Sequence, residues 1–171
     1  VDLAGKRVAV IGTGATAIQV IPEIVDRVAR LDVYQRTPIW LLPKPDMAFS
    51  DGTRRLFRDW PIAQRAARVV TNILNELLFG IGFSHYRQLP WLYAWLEKTG
   101  IEHIRKQVHD PALQEKLIPR YSFFCKRPSF SNVYFPVFNR PNVELVTDPI
   151  ARITPQGIVT QDGIEREVDV L

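Results

Sequence analysis

The sequence predicts an α/β fold: a parallel sheet built around a glycine turn, interrupted by a helical insertion and closed by an antiparallel β-meander. Three observations carry this reading. An apolar run, Val8 to Ile11, passes into a glycine turn, a helical pattern and a second apolar strand. A long middle stretch has helical spacing punctuated by prolines and glycines. The last third alternates short strand-like runs with turn residues.

Each element follows from its residues. Within "KRVAVIGTGATAIQ", Val8 to Ile11 is continuously apolar, as a central parallel strand buried on both faces must be. Gly12 and Gly14 supply the turn. From Ala15 to about Ala29 the spacing is helical, with Ile18, Ile21 and Val25 on one face, and Pro22 should remove one hydrogen bond and bend the helix. "LDVYQR" reads as a second strand, completing a strand–helix–strand unit of about thirty residues. The stretch Thr37 to Gly52, "TPIWLLPKPDMAFSDG", reads as a loop leaving the sheet because of its prolines.

Thr53 to about Leu117 reads as helices broken near Pro61, Gly80–Gly82, Pro90, Gly100 and Pro111, with Val69, Ile73, Leu77 and Leu78 spaced as a helix face. "NVELV" is a strand. "IARITPQGIVTQDGIEREVDVL" splits at Pro155-Gln156-Gly157 and Asp162-Gly163 into the runs of a meander. The chain is thereby divided into the first half of a nucleotide-binding domain (1–52), a helical insertion (53–118) and the return of that domain with its meander (119–171).

Composition narrows the function classes. The 171 residues suit one domain or slightly more, and 46% hydrophobic with 23% charged residues is the balance of a soluble globular protein. The net charge of +4 is scattered. Its densest cluster, Arg54, Arg55 and Arg58, reads as a solvated helix face, whereas a nucleic-acid surface needs a tighter basic face interleaved with aromatics. Cys125 is the single cysteine, which forbids an internal disulfide, argues against a zinc site and suits a reducing, cytoplasmic location. "ILNELLFGIGF" is too short to span a membrane and carries Glu76, leaving room only for peripheral contact.

Other chemistries find little support. His85, His103 and His109 are too irregularly spread for a metal triad, so no metal is expected, and His103 reads as lying on a helix face. Ser129 and Ser131 lack a His–Asp pattern for hydrolysis. Trp40, Trp60, Trp91 and Trp95 read as core or insertion packing. Opening on "VDLAGKR" without Met and closing on "REVDVL", a strand just beginning, the chain reads as a piece of a longer protein.

The glycine turn carries the chemistry. Gly12-Thr13-Gly14-Ala15-Thr16-Ala17 fits G-x-G-x-x-G/A: Gly12 allows the tight turn, Gly14 admits a pyrophosphate to the backbone, and Ala17 lets the helix pack closely on the strand. The N–H groups at the helix start then meet the negative charge. With the flanking strands, this reads as a Rossmann-like dinucleotide site. NAD binders place Asp or Glu near the end of the second strand, to bind the ribose 2′-hydroxyl. Here that place holds Gln35-Arg36-Thr37, and Arg36 suits a 2′-phosphate, with Thr37 adding a hydroxyl. The site therefore reads as one for NADP(H), the alternative being an exposed arginine after a strand.

"GKRVAVIGTGATAIQVIPEI", "VYQRTP" and "CKRPSFSNVYFPVFNRPNVELV", in that order, resemble the flavin-dependent Baeyer–Villiger monooxygenases and their flavin-containing monooxygenase relatives. The resemblance covers nearly the whole chain and is weakest in the helical middle. It implies an NADP-binding domain with a helical insertion, nested in a larger flavoprotein with two dinucleotide-binding domains. NADPH would reduce FAD there, and the reduced flavin would use molecular oxygen to oxygenate a small organic substrate. FAD would be bound mainly by sequence outside this chain, which lacks the family's FAD glycine motif, its Gly, His and Trp fingerprint and its Ala-Thr-Gly segment; this chain alone is expected to be inactive.

By the resemblance, Gly12, Thr13, Gly14, Ala15, Thr16 and Gln19 match the NADP phosphate loop. Arg36 and Thr37 match the 2′-phosphate site, joined by Lys126. Arg127 matches the active-site arginine facing the flavin, a fixed cation for the negative charge that develops during oxygenation. On residues alone, Lys126-Arg127 is equally a pair of loop cations before Pro128. Two other functions stay open: a flavin disulfide reductase, which would need a redox cysteine pair, and a non-catalytic NADP-sensing module.

Overall fold

A computed structural model describes residues 2–46, 48–81, 84 and 88–171, without the side chains of Leu78, Phe79 and Ile81. The chain separates into two compact units, Val1–Pro43 with Glu97–Leu171, and Lys44–Leu96.

The first unit is organised by a parallel sheet in the order β1-β2-β5, formed by Arg7–Ile11, Arg30–Tyr34 and Val143–Val146. The register is continuous from Arg7 opposite Arg30 to Ile11 opposite Tyr34, and Tyr34 in turn faces Val146. Val170 bridges Val8 in parallel on the other edge of β1, with its carbonyl accepting from Ala9 N at 2.9 Å. Strand alternation sends residues to two cores. Val8, Leu31, Val33 and Leu145 pack with Ile18 and Ile21 of helix α1, Ala15–Ile24. Ala9, Tyr34 and Val146 pack on the other face with Ile158 of strand β7, Gly157–Thr160.

The helical run beginning at Ala15 is shorter than its pattern suggests. It ends at Ile24, because the chain must turn back into β2: Arg27 N bonds Ile24 O at 2.9 Å and Ala29 N bonds Lys6 O at 2.9 Å. Pro22 lies inside α1 as expected. The loop after β2 holds a two-residue strand, β3 (Leu41–Leu42), paired in parallel with β4 (Ser129–Phe130). Strong prolines concealed that pairing, which is too short to leave a periodic signal.

Two further helices complete the helical layer of this unit. In α4 (Pro90–Gln107), the part from Glu97 onward contributes Ile104 to the core; α5 (Pro111–Leu117), capped by Asp110, contributes Leu117. Gly100 does not break α4: it is the contact point of Trp40, where an added Cβ would come within 2.9 Å of the ring. A 3₁₀ turn, Phe135–Asn139, adds Phe135, Val137 and Phe138. His103 is buried on α4, with Nε2 2.7 Å from Ser131 O.

In the second unit, α2 (Asp51–Asp59) is capped by Ser50, whose Oγ accepts from Thr53 N at 3.2 Å, and α3 (Pro61–Asn75) starts on its proline. Neither helix buries a residue. Val69, Ile73 and Leu77 share the expected spacing but are more than half exposed, and so are Trp60, Trp91 and Trp95; only Trp40 of the four tryptophans is in a core. The break expected near Gly80–Gly82 is a π-helical segment, Glu76–Ile81, while Gly82 and His85 lie outside the described residues.

An antiparallel sheet of β6 (Ile150–Ile153), β7 and β8 (Glu165–Glu167) follows β5. Gly157 is required where β7 meets β8, since a Cβ there would lie 2.0 Å from Arg166 O. This sheet is tied to the parallel one by charge. Arg166 donates to Glu144 Oε1 at 2.6 Å, Arg30 donates to Glu144 Oε2 at 2.6 Å and to buried Asp32 at 2.8 Å, and Arg7 pairs with Glu167 and Asp169. Hydrogen bonding from Arg166, reinforced by Arg30, lowers the Glu144 carboxyl below its ordinary value, while burial raises that of Asp32.

Two outcomes follow from these contacts. Gly157→Ala should cost about 3 kcal/mol by forcing β7 away from backbone, not from a movable side chain, and thermal unfolding will register it. The lowered Glu144 carboxyl contributes stability that is full above the ordinary glutamate value and fades as pH falls through the folded one. Melting curves of wild type and Glu144→Gln should therefore diverge at neutral pH and converge on acidification below about pH 4.

Candidate functional site

The site is assembled at the ends of the three parallel strands. Gly12 leaves β1 with its N–H bonded to Tyr34 O at 2.9 Å and a φ of 101°, a left-handed conformation in which a side chain would be strained. A Cβ at Gly12 or at Gly14 would meet nothing within 4 Å, so the turn borders open space. Gly14 is the N-cap of α1, and no side chain caps that helix. Its first-turn N–H groups and the positive end of its dipole are presented as an anion site. Ala15 and Thr16 are exposed in the first turn, and Gln19 is exposed one turn further on. Ala17 is buried, as the close packing of helix on strand demands.

A cleft of about 660 Å³ opens beside this turn, lined in part by Gly12, Thr13, Arg36, Thr37 and Lys126. Thus five of the expected residues share one cleft, although Lys126 belongs to a distant part of the sequence. Thr13 is buried, and its hydroxyl donates to Thr37 O at 3.1 Å, which fastens the glycine turn to the segment after β2. Gln35 is also buried and donates to Lys116 O at 2.7 Å. Arg36 between them is exposed and free to meet a ligand anion. Arg127 is exposed and lies outside the cleft lining.

Lys126 is delivered by an unusual turn. Cys125 N bonds Ser122 O at 3.0 Å, and Phe124 takes a φ of 68°, which costs a non-glycine residue about 1 kcal/mol. Packing offsets that cost: Phe123 and Phe124 are buried edge to face with centroids 4.8 Å apart, and Phe123 lies 5.6 Å from Trp40. The Lys126 ammonium sits 5.2 Å from the Tyr121 ring centroid.

Sequence reasoning missed the other wall of the cleft, Thr147, Asp148, Pro149 and Ile150. The signal was available, because ligands of open parallel sheets bind beyond the C-terminal ends of the strands and "NVELV" was legible as a strand. A second cleft of about 410 Å³ borders Arg36 and Thr37 and is lined also by Lys116, Arg120 and Tyr121. Among the described residues, no group of three or more His, Cys, Asp or Glu could hold a metal ion, and no helix is long and apolar enough to cross a membrane.

No protein-family model matches the chain. Individual proteins do match. A Baeyer–Villiger monooxygenase of Pseudomonas aeruginosa is 45% identical over 171 residues, covering 99% of this chain and 32% of that protein. An FAD-binding monooxygenase of Botryotinia fuckeliana is 39% identical over 183 residues, covering 99% of this chain and again 32% of the relative. In structure, an oxidized steroid monooxygenase bound to NADP superimposes with a TM-score of 0.78 at 29% identity, covering 99% of this chain and 38% of that one. The chain spans about a third of the length of the curated relatives it matches. Across 99% of its length in sequence, and in fold, this chain is similar to one segment of Baeyer–Villiger and FAD-binding monooxygenases.

Proposed function

We propose that this chain is the NADP(H)-binding portion, a Rossmann-like domain with a helical insertion at 53–118 and a return with a meander at 119–171, of an FAD-dependent monooxygenase acting on a small organic substrate. The observation that carries this reading is a cleft in which Gly12 and Thr13, the turn residues just ahead of an uncapped helix start, share one lining with Arg36 and Lys126. The steroid monooxygenase that superimposes on the chain is itself bound to NADP.

The residues fit a dinucleotide phosphate. Gly12 and Gly14 leave the space that a side chain would fill, and the backbone N–H groups of Ala15 and Thr16 donate to the pyrophosphate. Gln19 adds an exposed side-chain amide one helical turn away. Arg36 takes the 2′-phosphate through a charge-assisted and planar contact, Thr37 adds a hydroxyl, and Lys126 adds a second positive charge from the facing loop. Thr13 acts indirectly, by fixing the segment that carries Arg36.

FAD, held by parts of the protein beyond this chain, supplies hydride acceptance from NADPH and the activation of oxygen. Within the chain, Arg127 is exposed and outside the lining of the nucleotide cleft, and its proposed role is to stabilise negative charge at the reacting atoms. The proposed cellular setting is cytoplasmic.

Nucleotide titrations of the full-length protein test the first part. Arg36→Ala should weaken NADPH by about 1.5–3 kcal/mol, about 10- to 100-fold, and leave NADH nearly unchanged. Equal losses for both would remove the 2′-phosphate assignment. For the second part, Arg127→Ala should retain NADPH-driven flavin reduction and lose product formation from a ketone, measured by anaerobic stopped flow and by product analysis. Full oxygenation by that variant would end the proposed role, and a colourless full-length protein that binds NADPH would point to a nucleotide sensor instead.

A further inference from the structure

One residue that neither the glycine motif nor the Arg36 position announces touches both Lys126 and the segment that carries Arg36. The segment after β2 is pinned at two points. Thr13 bonds Thr37 O, and Tyr121 donates its hydroxyl to Pro38 O at 2.9 Å. Tyr121 is itself anchored, because its own carbonyl accepts from Trp40 Nε1 at 2.8 Å and its ring stands edge-on to buried Trp40 at 6.5 Å. The same ring carries the Lys126 ammonium at 5.2 Å, within the range of a cation–π contact. The turn through Phe124 brings Lys126 back over Tyr121.

We infer that Tyr121 is a positioning residue for the choice of NADP(H) over NAD(H), setting the Arg36 segment with its hydroxyl and Lys126 with its ring. This rests on the NADP(H) reading and adds to it a residue that need not touch the nucleotide. The physical ground is preorganisation: a lysine on a four-carbon stem loses much freedom when it grips a phosphate, and a ring that already holds it reduces that loss. A fixed Pro38 carbonyl likewise spares the Arg36 backbone an ordering step on binding. Neither effect reaches a nucleotide without a 2′-phosphate, since both act only through Arg36 and Lys126.

The test is isothermal titration of NADP⁺ and NAD⁺ into the full-length protein and its variants. Tyr121→Phe keeps the ring and loses the hydroxyl, and it should weaken NADP⁺ about 3-fold. Tyr121→Leu loses both contacts and should weaken NADP⁺ about 10-fold, with NAD⁺ held within about 2-fold. In a Lys126→Ala background, the further loss from Tyr121→Leu should shrink toward that of Tyr121→Phe, because the ring no longer has a cation to hold. Equal weakening of both nucleotides, or undiminished NADP⁺ affinity in Tyr121→Phe and Tyr121→Leu, would overturn the inference. Should Tyr121→Leu fail to fold, Tyr121→Phe alone decides through its nucleotide ratio. An Arg36→Ala control separates the two levels: selective loss there with unselective Tyr121 variants sinks only this inference, whereas unselective loss at Arg36 sinks the NADP(H) reading itself.

Discussion

Parallel pairing of three short strands is the constraint on which the rest of this chain depends. Because β1, β2 and β5 run the same way in unbroken register, Ile11, Tyr34 and Val146 end in one row. The residues that follow them must then emerge along one edge. Gly12 N bonds Tyr34 O and Gln35 N bonds Val146 O, each at 2.9 Å or less, so the exit of each strand is fixed by the next. A glycine turn, an arginine and the Thr147–Ile150 loop are brought to one cleft by backbone pairing before any side chain chooses a partner. Antiparallel pairing would have sent alternate strand ends to opposite edges and dispersed them.

Side chains then stiffen what the backbone has placed. Thr13 joins the first exit to the second, Gln35 joins the second to the end of α5, and Tyr121 joins it to the loop that carries Lys126. Each is a bond from a side chain to a backbone carbonyl outside any strand ladder, two in the segment after β2 and one in the last turn of α5. On the far face, the charges of Arg30, Glu144 and Arg166 do comparable work for the meander. Glu144 accepts from two arginines of different strands, so it registers the antiparallel sheet against the parallel one. Its lowered carboxyl is the signature of that double pairing, and the raised one of Asp32 shows that burial outweighs a single partner.

What the sequence discloses follows from how local the cause is. The strand–turn–helix start was legible from the continuous apolar run Val8 to Ile11, and the strand at Val143–Val146 from its valines and leucine around Glu144, although Ile11 and Glu144 are not buried. The prolines at 61, 90 and 111 were legible as punctuation, but each begins a helix, since proline is tolerated in a first turn. Gly100 misled for the opposite reason: its cause is the Trp40 ring, from a part of the chain read as loop. The β3–β4 pair was hidden for want of length, and α1 stopped at Ile24 because the sheet, not helix propensity, decides where the chain turns. Helical periodicity in α3 was real, yet it told nothing of burial, as Val69 and Ile73 are exposed.

The same distinction explains why the site was half visible. Gly12, Gly14 and Arg36 are conspicuous because each stands at the end of a strand legible in the sequence, where a turn motif and a lone cation form a local pattern. Lys126 has no such local mark; the family resemblance singled it out, and the structure puts it in the cleft with Arg36, where the left-handed Phe124 turn, held by Phe123 and Trp40, returns the chain toward Tyr121. Trp40 therefore serves both the core and the cleft. It packs on Gly100 of α4, supports Phe123 and donates to the Tyr121 carbonyl, so the turn bearing Lys126 is built against the body of the domain. A cation displayed on a freely moving loop would have to be ordered by the ligand it recognises. Here part of that ordering is already in the fold, as a consequence of how an aromatic core closes around a glycine in a helix.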